Sequence, residues 1–204
     1  MISNFKKIHY SILRKCDEFP IIKDEIQKNG VITLKKPSLD FFAFLIKTII
    51  SQQISDKAAQ SIWKKLCLKF YPRELSIKNV RSLESLNNFL DEIKISNQKK
   101  NYILNIYKNL KSENLNIKSL STMEEEKFRS VLTKYNGIGP WTSDIVLIFF
   151  FNKLNILPKQ DLIIKKIMFH FEKIEKQNID FIKNFSPFLS ILSLHFWKMS
   201  KRVL

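Results

Sequence analysis

Three glycines in 204 residues leave this chain few places to turn sharply, and two of them stand together as Gly137-Ile138-Gly139. Glycine takes the positive φ of a tight turn at no steric cost, so this distribution marks one turn as special. Elsewhere apolar residues recur at three- and four-residue spacing, and strand-type alternation is scarce, a pattern of helices joined by short loops. Phe41, Phe42, Leu45, Ile46, Ile49 and Ile50 trace one such stripe, on a helix that begins near Ser38, a good capping residue. The expected fold class is all-α.

The same reading gives a helix pair over residues 5–29, broken near Pro20, then a little extended structure at Val31-Ile32-Thr33-Leu34. Further helices are expected over about 56–70, within 76–93, over 98–110 with Ser96 as cap, and over 123–133. The last three cover about 141–150, 161–170 and 187–199. No repeat, low-complexity stretch or linker divides the chain. It reads as a single domain over 1–204 with apolar residues at 45%, enough for a core.

Lys and Arg number 35 against 19 Asp and Glu, a net charge of +16. Such an excess points to a polyanionic partner, nucleic acid above all. The plain alternative is the coding bias of an AT-rich genome, which enriches lysine, asparagine and isoleucine together. Thirty of the 35 basic residues are lysine, so bidentate readout of bases by arginine has a minor place. Two isolated cysteines, Cys16 and Cys67, argue for a reducing compartment and supply neither a structural zinc site nor an iron–sulfur cluster. The N-terminus lacks the apolar run of a signal peptide, and no run reaches the roughly 18 residues of a membrane span. A cytoplasmic, nucleoid-associated monomer is expected, with no membrane partner and no organic cofactor.

Gly137-Ile138-Gly139 lies between two predicted helices. The free amides that open the second helix suit a phosphate oxygen, Ile138 can anchor the turn, and Pro140 fits a first helical turn. An ordinary helix–helix turn is the plain alternative. The segment Leu132-Thr133-Lys134-Tyr135-Asn136-Gly137-Ile138-Gly139-Pro140-Trp141-Thr142-Ser143 resembles the hairpin of the helix-hairpin-helix DNA glycosylases. Pro140-Trp141-Thr142 is similar to the 3-methyladenine DNA glycosylase II branch in particular. Leu157-Pro158-Lys159-Gln160-Asp161 matches the segment that carries that superfamily's aspartate, at the branch's spacing from Trp141. Ile49-Ile50-Ser51-Gln52-Gln53-Ile54-Ser55, Phe185-Ser186-Pro187-Phe188-Leu189-Ser190 and Leu194-His195-Phe196-Trp197 follow in register, so the likeness covers about residues 38–204.

The resemblance implies a two-lobed helix-hairpin-helix glycosylase fold with a cleft between lobes. Lobe one would be about 38–150; lobe two would combine 1–37 with the C-terminal helices, about 151–204. It implies a monofunctional enzyme that hydrolyses the N-glycosidic bond of alkylated purines in duplex DNA. Asp161 would be the catalytic carboxylate, though by local sequence it reads as a helix cap, and both roles are compatible. Trp141 and Trp197 would wall the base pocket; unplaced, each reads as a core residue. Gln53 takes the wedge position, or else bonds loop backbone. Lys134 would join Gly137, Ile138, Gly139 and Thr142 in gripping the DNA backbone, and Lys99 and Lys100 are further candidates; each lysine is more safely read as a solvated surface residue. Trp141 stands where bifunctional relatives carry a lysine nucleophile, so no lyase step is expected. The hairpin carbonyls are a candidate site for a monovalent cation, and no side-chain metal site is expected. Ile145 and Leu189 depart from the branch's aromatic and arginine, which leaves open a glycosylase for a deaminated or oxidised base, or a non-catalytic protein that recognises damage.

Overall fold

The computed structural model describes residues 2–112 and 114–204, with twelve helices and no strand among them. They form two compact units. One joins the N-terminal residues through Lys36 to Leu147–Leu204; the other is Pro37–Val146.

The Pro37–Val146 unit is built around α3 (Phe41–Ser51), whose Phe41, Phe42, Leu45, Ile46, Ile49 and Ile50 are all buried. This helix packs against α4 (Asp56–Leu68) and α6 (Asn97–Lys111), and α6 in turn packs against α5 (Leu83–Glu92). The cap of α3 is Asp40, not Ser38. Its Oδ1 accepts the Ala43 amide at 2.8 Å while Oδ2 accepts that of Ile77 at 2.8 Å, so one carboxylate starts the helix and fastens a distant loop. Ser38 lies too far upstream to reach a first-turn amide. Ser55, Ser82, Ser96 and Asn116 cap α4, α5, α6 and α7 (Ile117–Thr122) in the ordinary way. Next come α8 (Glu125–Leu132) and α9 (Pro140–Phe149), whose last three residues belong to the other unit.

That other unit contains α1 (Ile2–Lys15), α2 (Pro20–Asn29), α10 (Leu162–Glu175), α11 (Phe181–Phe185) and α12 (Leu189–Val203). Ile12, Ile22, Ile26, Phe171, Phe181, Phe185 and Phe196 fill its core. The helices are fastened through their ends. Glu175 Oε1, on the last turn of α10, accepts the Ile21 and Ile22 amides at 2.8 and 2.9 Å, doing for α2 what Phe19 cannot do as its cap. The expected extended stretch at Val31–Leu34 is irregular loop, since no neighbouring strand pairs with it. Cys16 is buried and Cys67 half-buried, both unbridged.

Candidate active site

The hairpin is the turn between α8 and α9. Gly137 has φ +89°, and an added Cβ would run into the ring of Tyr102, so both conformation and close packing require glycine there. Ile138 is buried and its amide donates to the Tyr135 carbonyl at 3.0 Å. Pro140 opens α9, and the Gly139 carbonyl accepts the Ser143 amide and hydroxyl at 3.0 and 3.2 Å. The two helices that meet at the turn are also tied by charge. Arg129 Nε of α8 lies 2.7 Å from Asp144 Oδ1 of α9, and the Asp144 side chain is only 7% exposed. Burial pushes the Asp144 carboxyl up and the guanidinium draws it back.

A second loop joins the hairpin. Gln52, which ends α3, donates from Nε2 to the Gly137 carbonyl at 2.9 Å and to Thr142 Oγ1 at 3.1 Å. Thr142 is buried, so its hydroxyl serves this contact. Gln53 follows in the left-handed region at φ +56°, with its side chain exposed. Beneath this turn Lys99 donates from Nζ to the Ile50 carbonyl at 2.8 Å and the Gln52 carbonyl at 2.7 Å. Burial lowers its pKa. Lys99 therefore spends two of its three N–H groups on main chain. Lys100 pairs with Asp91 at 2.6 Å, and Lys134 is exposed on the hairpin. Trp141 and Ile145, on α9, are half-buried.

The other unit carries the remaining candidates. Asp161 is the cap of α10. Its Oδ1 accepts the amides of Ile163 and Ile164, each at 2.9 Å, and the residue is only 8% exposed. The carboxylate is thus fixed at the positive end of a 14-residue helix dipole. The cap reading of Asp161 holds in this geometry, and a rigid orientation is what electrostatic catalysis also needs. Trp197, on α12, is half-buried and stacks on Phe149 with ring centroids 5.9 Å apart and planes at 27°. Leu189 begins α12 and is buried, as a neutral side chain in place of the arginine can be.

The hairpin glycines, Ile138 and Thr142 thus gather in one unit together with Gln52, while Asp161 and Trp197 are fixed within the other. Sequence reasoning missed the parts of Gln52, Lys99 and Phe149. For Gln52 and Gln53 the doublet was visible; which member points outward depends on backbone conformation, which no residue type announces.

The family model of the HhH-GPD superfamily base excision DNA repair proteins matches residues 46–183, a span that contains the Gln52–Gln53 turn, the hairpin and Asp161. This chain belongs to that superfamily. Among relatives, the alkylbase DNA glycosidase-like protein mag2 of Schizosaccharomyces pombe is 26% identical over 187 residues, 86% of each chain. YfjP of Bacillus subtilis, named for DNA-3-methyladenine glycosylase, is 26% identical over 176 residues, 78% of this chain and 60% of YfjP, so this chain spans less than two thirds of that relative. A Bacillus halodurans DNA-3-methyladenine glycosidase structure superposes with a TM-score of 0.75 at 22% identity, covering 94% of this chain and 88% of that one. An 8-oxoguanine glycosylase/lyase from Clostridium acetobutylicum, complexed with double-stranded DNA, gives 0.67 at 17%, covering 95% and 70%. At these identities the likeness establishes the fold, an all-helical one shared with HhH-GPD glycosylases.

Proposed function

We propose that this HhH-GPD protein is a monofunctional DNA glycosylase that hydrolyses the N-glycosidic bond of alkylated purines in duplex DNA, leaving an abasic site. The observation that carries the reading is Asp161: a nearly buried carboxylate, fixed by two helix amides, at the family's position after the hairpin. Membership in a base excision repair superfamily and the match to mag2 over 86% of each chain support the same reaction.

Breaking the C1′–N bond sends its electron pair to the departing base and leaves an oxocarbenium-like sugar. The Asp161 carboxylate stabilises that charge, more strongly because little water reaches it. Water then bonds to C1′ and gives up a proton, which the same carboxylate can accept. An alkylated purine that is already cationic leaves without a protein acid. Trp141 and Trp197 stack on it, and an indole face favours a cation by about 0.5–2 kcal/mol. The hairpin amides hold the strand through a phosphate, Lys134 adds charge, and Gln53 fills the gap left by the everted nucleotide. The carbonyls of Gly137, Ile138 and Gly139 are the oxygen donors that would hold a monovalent cation. Gly137 already accepts one hydrogen bond and keeps a second lone pair, while Gly139 accepts two from Ser143, of which the hydroxyl one would give way to the cation. Such a cation would screen the bound phosphate.

A glycosylase for a deaminated or oxidised base is the second reading, favoured by Leu189 and Ile145 where the branch carries arginine and an aromatic. A panel of duplexes, each with one defined lesion, scored for released base, decides between them. Release from alkylated purines first is the expected result, and release from none of the panel refutes the enzyme. Asp161→Asn is expected to abolish release while duplex binding persists; undiminished release would overturn the role of the carboxylate. Borohydride trapping is expected to give no protein–DNA adduct, and an adduct would contradict the monofunctional assignment.

A further inference from the structure

Two side chains one turn apart on α6, those of Lys99 and Tyr102, touch the two loops that the proposed function assigns to DNA. Tyr102 lies under Gly137 so closely that a methyl group cannot fit between them. Lys99 ties the Ile50 and Gln52 carbonyls together. Ile50 is in the last turn of α3, where carbonyls lack helical partners and the dipole is negative, so an ammonium is the matching cap. Gln52 closes the figure by reaching from that turn to Gly137 and Thr142. Neither side chain is free for a phosphate: Lys99 is half-buried with two N–H groups committed, and the Gln52 amide is spent on the hairpin.

We propose that Lys99 and Gln52 are positioning residues, which lock the turn between α3 and α4 onto the hairpin so that Gln53 is held in its left-handed conformation at a fixed offset from the bound phosphate. The proposal rests on the reading of Gln53 as wedge and of the hairpin as strand clamp. Gln53 at φ +56° carries no glycine's freedom, so something must hold it there. The fixed carbonyls of Ile50 and Gln52, the second in the peptide unit that leads into Gln53, hold the entry to that residue. With the offset fixed, the protein does not have to order the wedge during base eversion. Removing the lock adds that ordering to the barrier for opening a stacked pair, and to nothing that follows.

The test is single-turnover release of 7-methylguanine from two duplexes, one with the lesion paired to cytosine, the other with the lesion opposite an abasic site. The unpaired lesion leaves the helix at lower cost. Lys99→Met keeps the aliphatic stem and removes both bonds. It is expected to slow the paired substrate about tenfold or more, the scale of a lost charged hydrogen bond, and to leave the unpaired one near wild type. An equal loss on both substrates, or none on the paired one, overturns the proposal. Release by wild type from neither duplex instead refutes the glycosylase reading for this lesion, and with it this role. A thermal melt precedes each assay. If Lys99→Met does not fold, Gln52→Leu, which leaves both Lys99 bonds intact and cuts the links to Gly137 and Thr142, reads the same ratio with the same outcomes.

Discussion

Gln52 donates its side-chain amide to the carbonyl of Gly137, 2.9 Å away in space and 85 residues along the chain. One hydrogen bond therefore joins the end of α3 to the hairpin. The contact is part-buried, so water competes weakly for either partner. The hairpin is consequently shaped by its neighbours on α3 and α6 and not by its glycines alone.

Gly137 and Gly139 have different structural work, and alanine separates them. Gly137→Ala must hold a positive φ and displace the Tyr102 ring. Strain of this kind costs on the order of 1–3 kcal/mol before any repacking. Gly139→Ala meets no atom within 4 Å. Gly137→Ala is expected to melt several degrees lower and to bind undamaged duplex more weakly. Gly139→Ala should melt like wild type. Thermal midpoints and fluorescence-anisotropy titrations check both; equal midpoints for the two variants would contradict the packing argument.

Arg129 and Asp144 make the ion pair that fastens α8 to α9, the two helices that meet at the hairpin. Removing one member of a fully buried pair costs about 3–5 kcal/mol; here Asp144 is buried but the Arg129 side chain is 23% exposed, so that figure is an upper bound. Arg129→Met is expected to approach that loss, and the double variant Arg129→Met with Asp144→Leu to recover most of it, since neither charge remains to be desolvated. Denaturant midpoints of the single and double variants measure it. A double variant no more stable than the single would show that the pair does more than neutralise itself.

His195 gives the N- and C-terminal unit a dependence on acid. Asn29 gives its amide nitrogen to His195 Nδ1 at 3.1 Å, because its oxygen already accepts from Arg202 at 2.9 Å. The ring is therefore neutral with its proton on Nε2. Burial, with help from His9 and Lys198, pulls its pKa down to about 3, and burial lowers that of His9 too. The unfolded chain binds the proton near 6.5. Between those values the unfolded state holds more protons, so this contribution is complete above about pH 6.5 and is lost as the pH falls toward 3. The slope is up to about 1.4 kcal/mol per pH unit for one ring. His195→Gln, which cannot titrate, is expected to flatten the fall of the thermal midpoint between about pH 6.5 and 5. Parallel curves for the two proteins would exclude His195 as a source.

What the sequence makes legible follows the range of its interactions. The stripe on α3, the cap Ser96 and the turn at Gly137 are local patterns, and each helix lies where its pattern puts it, to within a few residues. The five-residue α11 and six-residue α7 escape because so few residues show no period. Asp40 outranks Ser38 because a carboxylate can serve Ala43 and Ile77 at once, and Ile77 is far away in the chain. Lys99 illustrates the same limit at the candidate site. As a lysine in a basic helix it reads as a phosphate contact, and only the fold brings the Ile50 and Gln52 carbonyls to it.

If Trp197 walls the base pocket as proposed, it offers the sharpest test of substrate charge. Its stack on Phe149 fixes the indole plane, and an aromatic face discriminates between bases that differ in charge more than in shape. Replacing Trp197 by Leu keeps apolar bulk and removes the π face. A cation–π contact of about 0.5–2 kcal/mol corresponds to roughly 2- to 30-fold in rate. The ratio of kcat/KM for cationic 7-methylguanine to that for neutral hypoxanthine is expected to fall by a factor in that range in Trp197→Leu, with both rates measured on otherwise identical duplexes. A uniform loss on both bases would make Trp197 a wall of the pocket with no part in choosing the charged base.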